Sequence, residues 1–582
     1  MSAFLDVESS LTGRRWLGPS IELSRRAEAL EQASGLPRAV SAVLARRGVG
    51  ATEAAAFLAP TLRESLPDPR GLKDMEPAAE RLLRAIDTGE QVAIFADYDV
   101  DGGASAALLI DWMRGFERKP TLYIPDRIEE GYGPNVPAME MLAKEHSLII
   151  CVDCGTLSHE PIAAAVAAGA DVVVLDHHLG GETLPPALAV VNPNRQDEAG
   201  APGYLCAAGV VFLLLVEAGR RLREAGRKGP DLMALLDLVA LATVADVAPL
   251  VEANRALVVQ GLKVMARRAR PGLVALADVA RMNTPPSSYH LGFLLGPRVN
   301  AGGRIGAADL GARLLATTDP HEARALAEKL DKLNSERREI EAEVLAGALA
   351  QAEARGLEAP LVWAAAEGWH PGVVGIVAAR LKEAAHRPAV VIGFEGDEGK
   401  GSGRSVTGVD LGAAVQKLAA EGLIARGGGH RMAAGLSLTR TQLEPAMARL
   451  SDLLERQGAG EIGPRALDLD GLLMPGAATV ELIEQIEAAG PFGAGAPAPR
   501  FAFPDVAIDF AKPVGQNHLK IAFSDGLGAR LEAIAFGAFD TPLGPALSGH
   551  GGARFHLAGR LELNHWNGRT APQLRLEDAA PA

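Results

Sequence analysis

Three short apolar runs that each end on acid constrain this chain more tightly than any other feature. Residues 92–95 lead into Asp97-Tyr98-Asp99-Val100-Asp101-Gly102, residues 148–152 end on Asp153-Cys154-Gly155, and residues 172–175 end on Asp176-His177-His178. Between the last two lies a segment with Pro161, Ile162, Val166 and many alanines, which reads as a short helix closed near Gly169. Strand, helix, strand at this spacing is a βαβ unit and implies a parallel sheet. Ligands of such sheets sit at the carboxyl ends of the strands, and these acids fall there. A fourth candidate, Asp246, ends the apolar segment that starts near Leu232. Five or six carboxylates with an adjacent His pair suit two divalent ions sharing a bridging ligand. Asp153 and Asp176, each ending a central strand, are expected to contact those ions.

The hexapeptide alone has other readings. Its alternating carboxylates repel one another, and protonation or a bound cation relieves them. A calcium EF-hand loop also begins D-x-D-x-D-G, but it needs Glu as its twelfth residue. Here the twelfth residue is Leu108, and the preceding run is strand-like rather than helical. A solvated acidic turn stays open for the hexapeptide by itself; three acidic strand ends in succession argue against it.

At these residues the chain resembles the DHH phosphoesterase superfamily, named for the triplet Asp176-His177-His178. Within it, Gly296-Pro297-Arg298-Val299-Asn300-Ala301-Gly302-Gly303-Arg304, Gly401-Ser402-Gly403-Arg404-Ser405 and Gly427-Gly428-Gly429-His430 are similar to motifs of the RecJ family, as is Ala433-Ala434-Gly435. The resemblance runs from about residue 70 almost to the C-terminus. It implies a metal-dependent exonuclease that degrades single-stranded DNA 5′→3′ to mononucleotides, in DNA repair and recombination, using two Mn2+ or Mg2+ ions. Asp97, Asp99, Asp101, Asp153, His177 and Asp246 would be metal ligands, with Asp176 and His178 completing the catalytic set. Arg127, Arg298, Asn300, Arg304, Ser402, Arg404, Gly428, Gly429 and His430 would meet the substrate. The implied protein is a cytoplasmic monomer whose partners are single-stranded DNA, a single-strand-binding protein and a RecQ-type helicase.

Two alternatives stand beside this. Small-substrate relatives (nanoRNA or nucleoside-bisphosphate hydrolases, or inorganic pyrophosphatases) share the metal site but are shorter and lack a C-terminal barrel. A non-catalytic DNA-binding scaffold would have lost metal carboxylates, whereas all six aspartates are present.

Residue chemistry adds detail. His177 suits metal ligation through a ring nitrogen, while His178 suits phosphate contact or orientation of its neighbour. The 296–304 run is glycine-rich and basic, as where backbone approaches a phosphate, or as in an ordinary turn. Gly401-Ser402-Gly403-Arg404-Ser405 offers NH groups, hydroxyls and a guanidinium in one small loop, a cup for a 5′-phosphate. The glycines at 427–429 with His430 suit close approach of a nucleotide, or a flexible turn. His565-Trp566, beside the hairpin signal Asn567-Gly568, would stack on bases or pack at an edge. Cys151-Val152-Asp153-Cys154 is nominally CxxC, but no second cysteine pair exists to complete a zinc site.

At 582 residues the chain is too long for one core. No run of about 18 apolar residues suggests a membrane span, and the first residues lack the basic and apolar regions of a signal peptide. Only three cysteines fit a reducing cytoplasm. A net charge of −14 is compatible with DNA binding, because metals offset the acidic cluster and contact depends on local fields. The predicted fold class is α/β. An N-terminal helical segment (1–70) precedes a parallel-sheet catalytic DHH domain (71–316). Asp319-Pro320-His321-Glu322 then starts a connector helix (317–357). Its apolar stripe is interrupted at Arg337, which disfavours a coiled coil. A second α/β domain resembling DHHA1 (358–463) and an oligonucleotide-binding (OB) type β-barrel (464–582) complete the chain.

Overall fold

The computed structural model describes residues 3–126, 130–461, 465–566 and 568–582. The first α/β domain is built on five parallel strands in the spatial order Thr121–Tyr123, Val92–Ala96, Leu148–Val152, Asp171–Leu175, Ala189–Val191. Strands buried on both faces read as unbroken apolar runs, which is why these were legible. Ile94, Ile150 and Val173 face a large core shared with the helices Met75–Thr88, Val100–Arg114 and Ala207–Glu224. Ala93, Phe95, Ile149 and Val172 point the other way, against Val136–Ala143 and His159–Ala167. The period-two alternation of a strand makes that division.

The connector is a single helix, Pro320–Arg355, of 36 residues, about 54 Å long at 1.5 Å per residue. Asp319 caps it by accepting from the His321 amide at 2.9 Å. Its first half buries Ala323, Leu326, Ala327 and Leu330 in the core of the first α/β domain, and its second half buries Val344, Ala348 and Ala352 in the next domain. Arg337 is buried and bonded to Glu341 and Asn334. The break in the stripe is thus an internal ion pair within a connector.

The second α/β domain carries a five-stranded sheet in the order Arg426–His430, Ala433–Thr439, Glu398–Arg404, Ala389–Glu395, Val362–Glu367. One expectation is corrected here and one alternative is excluded. The 401–405 stretch is not a loop, because Gly401 to Arg404 belong to a strand, and the glycines at 427–429 lie in another strand rather than a turn. The turn alternative is also excluded for the 296–304 run of the first α/β domain, which is the helix Gly296–Ile305.

In the C-terminal domain, Phe501–Val514, His518–Ser524, Arg530–Ala535, Arg569–Pro581 and Arg554–Trp566 pair in that order, and the last strand pairs back to the first. The result is a closed barrel of OB type, with one parallel pair. The N-terminal helices are not a separate body. Leu30, Val40, Val43 and Leu44 share a core with Phe501, Phe503 and Leu557 of the barrel. Among the described residues, no helix is long and apolar enough to cross a membrane.

Candidate active site

Topology decides where the acids collect. In strand order 2-1-3-4-5, the chain leaves the first and third strands toward opposite faces, which opens a crevice at their carboxyl ends. Asp97 follows the first of these strands and Asp153 the third. Both are buried. Asp153 takes a left-handed backbone conformation, φ 60°, a strained state for a residue with a Cβ and one concentrated at functional sites.

Local structure fixes the neighbouring acids. Asp99 caps the helix Val100–Arg114, accepting from the amides of Asp101 (2.8 Å) and Gly102 (3.1 Å). Gly102 is required because a Cβ there would fall 2.4 Å from the Asp97 carbonyl oxygen. The buried Asp101 carboxylate accepts from Ala207 N (2.7 Å) and Ala208 N (2.8 Å), the start of a helix whose dipole favours an anion. Asp246 arrives from the end of a helix, Leu236–Ala245, rather than a strand.

His177 joins these acids. Its Nε2 lies 3.3 Å from Asp153 Oδ1, 3.7 Å from Asp101 Oδ2 and 3.8 Å from Asp246 Oδ2. Three ligand groups result: Asp97, Asp99 and Asp153; Asp101, His177 and Asp246; and Asp153, His177 and His178, each with donor atoms within 4.8 Å of one another. Asp153 belongs to two of them. Burial, followed by repulsion from Asp101, Asp99 and Asp97, pushes the Asp153 carboxyl well above the usual range. Burial likewise raises Asp101, and it raises Asp246 to about 9 with Asp101 and Asp99 adding repulsion. Asp153 Oδ1 is buried without a hydrogen-bond partner among the described residues. Clustered carboxylates and imidazole, with one oxygen left unbonded, fit hard divalent cations.

Asp176 lies outside those three groups, and both of its oxygens accept hydrogen bonds within the protein. Oδ2 accepts from Thr156 N (3.1 Å) and Thr156 Oγ1 (2.7 Å). Oδ1 accepts from the amides of His177 and His178 and lies 2.8 Å from His178 Nδ1. Burial opposes ionisation, yet the bonds from His178 and Thr156 hold this carboxyl far below the usual range. In return, and against burial, Asp176 raises His178 to about 9. Asn192 donates to Thr156 Oγ1 and to the His178 carbonyl, both at 2.8 Å, and Asn194 donates to the His177 carbonyl at 2.6 Å. These asparagines were not singled out from sequence; their position just after the fifth strand was the available signal.

Opposite the acids stands the sheet of the second α/β domain. A cleft of about 720 Å³ has Asp97, Asp99, Asp153, His178 and Asp246 on one wall and Lys400, Ser402, Arg404, Arg426 and Gly428 on the other, with Arg304 also lining it. Register explains the second wall. Lys400 pairs with Ser437, which pairs with Arg426, and Ser402 pairs with Gly435, which pairs with Gly428. Strand periodicity puts these two rows on one face. An added Cβ at Gly428 or Gly435 would meet nothing within 4 Å, so the middle of that face is an open groove beside Ser402.

Comparison with known proteins agrees with this geometry. Family models match at residues 91–243 (DHH family, N-terminal domain), 358–456 (DHHA1 domain) and 469–578 (RecJ OB domain). The single-stranded-DNA-specific exonuclease RecJ of Dickeya dadantii is 39% identical over 96% of this chain and 99% of its own. The chain belongs to the RecJ family. The crystal structure of RecJ from Thermus thermophilus in complex with Mn2+ is 30% identical and superposes with a TM-score of 0.81, covering 97% of this chain and 79% of that one. The Mg2+ complex of the same protein gives 0.75 at 28% identity, over 97% and 78%.

The remaining RecJ-motif residues divide. Arg304, Ser402, Arg404 and Gly428 line the cleft, whereas Gly429 and His430 are not part of its lining. Arg298 is engaged by Asp331 (2.9 Å) and the Leu294 carbonyl (2.7 Å). Asn300 Oδ1 accepts from Val100 N at 3.0 Å. Both hold the Gly296–Ile305 helix in place. Arg127 lies outside the described residues, as does Asn567; His565 sits at the end of a barrel strand, 2.9 Å from Thr570 Oγ1. Lys400, Arg426 and Tyr132 are cleft residues that sequence reasoning missed. The Tyr132 hydroxyl donates to the Asp153 carbonyl at 3.1 Å and lies 3.3 Å from the His178 ring.

Proposed function

We propose that this chain hydrolyses single-stranded DNA from its 5′ end, releasing mononucleotides, with two Mn2+ or Mg2+ ions, in DNA repair and recombination. One observation carries the reading: a single cleft faces five carboxylate- or imidazole-bearing residues across from two arginines, a lysine and a serine. The first wall is built to hold cations at a scissile phosphate. The second is built to hold a polyanion.

Asp97, Asp99, Asp101, Asp153, His177 and Asp246 would hold the ions. Bound there, the ions would supply a water of lowered pKa and positive charge at the reacting phosphate. Asp176 is a positioning residue, orienting His178 toward the cleft through their 2.8 Å bond. Ser402 and Arg404 take the terminal phosphate, whose extra charge over an internal diester suits a guanidinium fork. Lys400, Arg304 and Arg426 track the following backbone. The cleft volume is that of a small-molecule site, which suits a few nucleotides of single strand rather than a duplex. The barrel adds a binding surface for longer strands. A monomeric, cytoplasmic chain that works with a single-strand-binding protein and a RecQ-type helicase belongs to the same reading and rests on the family alone.

Digestion of 5′-labelled and 3′-labelled single strands tests it. The expected result is immediate release of 5′ label as mononucleotide, gradual shortening of the 3′-labelled strand, no digestion of blunt duplex, and no reaction in EDTA. Release from the 3′ end first, or cleavage that survives EDTA, would overturn it.

A further inference from the structure

The two walls of the cleft are joined by a chain of contacts that the exonuclease reading does not use. It begins at the acidic wall, where Val100 N donates to Asn300 Oδ1 at 3.0 Å. A Cβ on Gly303 would lie 2.7 Å from the carbonyl oxygen of Tyr98, the residue between Asp97 and Asp99. The Gly296–Ile305 helix is thus seated directly on the metal-binding segment. Its far end meets the start of the Pro371–Ala385 helix. There Arg304 Nη1 donates to the Gly372 carbonyl at 3.1 Å, and a Cβ on Gly372 would lie 2.4 Å from the Arg304 carbonyl oxygen. One turn further on, a Cβ on Gly375 would lie 3.1 Å from both Ser402 Oγ and Arg404 Nη2. From Asp97 to Arg404, a glycine stands at each of these three close approaches.

We propose that these two helices form a fixed spacer that sets the distance between the metal-binding wall and the phosphate-gripping wall, and thereby selects which diester is cut. The proposal rests on the reading that Ser402 and Arg404 hold the terminal phosphate. Two of the three contacts are made against backbone, which cannot rotate away as a side chain can, and close-packed helices transmit displacement rather than absorb it. With the 5′-phosphate held at one end and the ions at the other, a spacer of constant length leaves a single nucleotide between them. Gly303, Gly372 and Gly375 are then positioning residues. A methyl group at Gly372 must move its contact from 2.4 Å toward the 3.4 Å at which ordinary packing begins, which parts the helices by about 1 Å. A displacement of about 1 Å in a reacting geometry costs about a hundredfold in rate.

The test uses the full-length chain with Mn2+ and a 5′-phosphorylated oligodeoxynucleotide carrying the label on that phosphate. Gly372→Ala and Gly372→Val are compared with wild type for kcat and KM on that strand, and Mn2+ binding is measured by calorimetry. The expected result for Gly372→Ala is a kcat about a hundredfold lower, with KM, the 5′-phosphate preference and Mn2+ affinity unchanged. Gly372→Val should lower kcat further. A kcat within a few-fold of wild type in both variants, or a loss confined to KM or to Mn2+ affinity, overturns the proposal. Should neither variant melt cooperatively, Gly375→Ala is decided by the same readout. Arg404→Ala, run in parallel, separates this from the reading beneath it. Undiminished 5′-phosphate preference in that variant refutes the phosphate cup, whereas lost preference together with an undiminished kcat in the Gly372 variants refutes the spacer alone.

Discussion

His177 Nε2 lies 3.3 Å from Asp153 Oδ1, a buried carboxylate oxygen with no hydrogen-bond partner among the described residues. Asp153 is also grouped with Asp97 and Asp99 on its other side. The residue therefore stands between two sets of ligands, in a left-handed backbone conformation that the surrounding structure must hold in place. A buried carboxylate left in that position is costly unless a cation compensates it.

Asp153→Asn keeps the size of the side chain and removes the charge that two ligand groups share. Cleavage of single-stranded DNA should fall by about 10³-fold or more. Gel-shift affinity for the same strand should stay within a few-fold, since the basic wall is untouched. Calorimetric titration should show weaker Mn2+ binding. Activity close to wild type would remove Asp153 from the metal site.

Asp153→Asn and Asp176→Asn should move thermal stability in opposite directions when metal is absent. Burial and neighbouring acids disfavour the charge on Asp153, so neutralising it relieves repulsion and should raise the melting temperature in EDTA. Asp176 carries charge that His178, Thr156 and two backbone amides stabilise. An amide there turns NH groups toward donors, and leaving such groups unsatisfied costs about 1–3 kcal/mol. Melting curves of both variants in EDTA decide it: a shared sign would show that Asp176 is another metal ligand rather than the prop for His178.

Arg404→Ala should abolish most of the preference for 5′-phosphorylated over 5′-hydroxyl DNA while leaving Mn2+ binding intact. Arg404→Lys should recover part of it, because an ammonium supplies charge without the planar fork. Initial rates on the two substrates are the measurement.

How far sequence reached differs between the walls. The acidic wall was legible because parallel strands buried on both faces are continuous apolar runs, and Asp97 and Asp153, which follow two of those runs, line the cleft. The connector was legible from Asp319, Pro320 and Glu322, since helix capping is a local matter. Of the basic wall, the family resemblance named Ser402, Arg404 and Gly428, but neither the strands that carry them nor Lys400 and Arg426 were legible. Ser402 and Arg404 looked like loop residues because glycine has low strand propensity. The cause of those glycines is tertiary: a Cβ on Gly403 would lie 2.7 Å from Leu411, and one on Gly401 would lie 2.8 Å from Ile392. Lys400 and Arg426 come together only through their common register with Ser437. The hydrogen bonding of Asp176 was hidden for a similar reason, because its partner Thr156 is twenty residues away.

Removing residues 464–582 should cost more than a DNA-binding surface. The N-terminal helices bury Leu30, Val40 and Leu44 in the barrel core, and Trp16 donates to Asp578 at 2.9 Å. Each fully buried aliphatic side chain contributes about 1.5–3 kcal/mol, so the truncation leaves residues 1–60 with an exposed apolar face. The same deletion removes a brace from the catalytic domain. Leu250 N, four residues beyond Asp246, donates to the Ala494 carbonyl at 2.8 Å, and Ala496 is buried in the catalytic core. The Arg255 guanidinium, 3.9 Å over Phe57, also donates to the Ala488 carbonyl. A chain ending at 463 should therefore melt earlier and aggregate. A piece spanning 60–463, with the orphaned helices also removed, should be better behaved and still cut short strands, with weaker and less salt-sensitive binding to long ones. Light scattering, melting curves and binding at two salt concentrations compare the pieces. If the chain ending at 463 proves as stable and as monodisperse as the 60–463 piece, the N-terminal helices do not depend on the barrel.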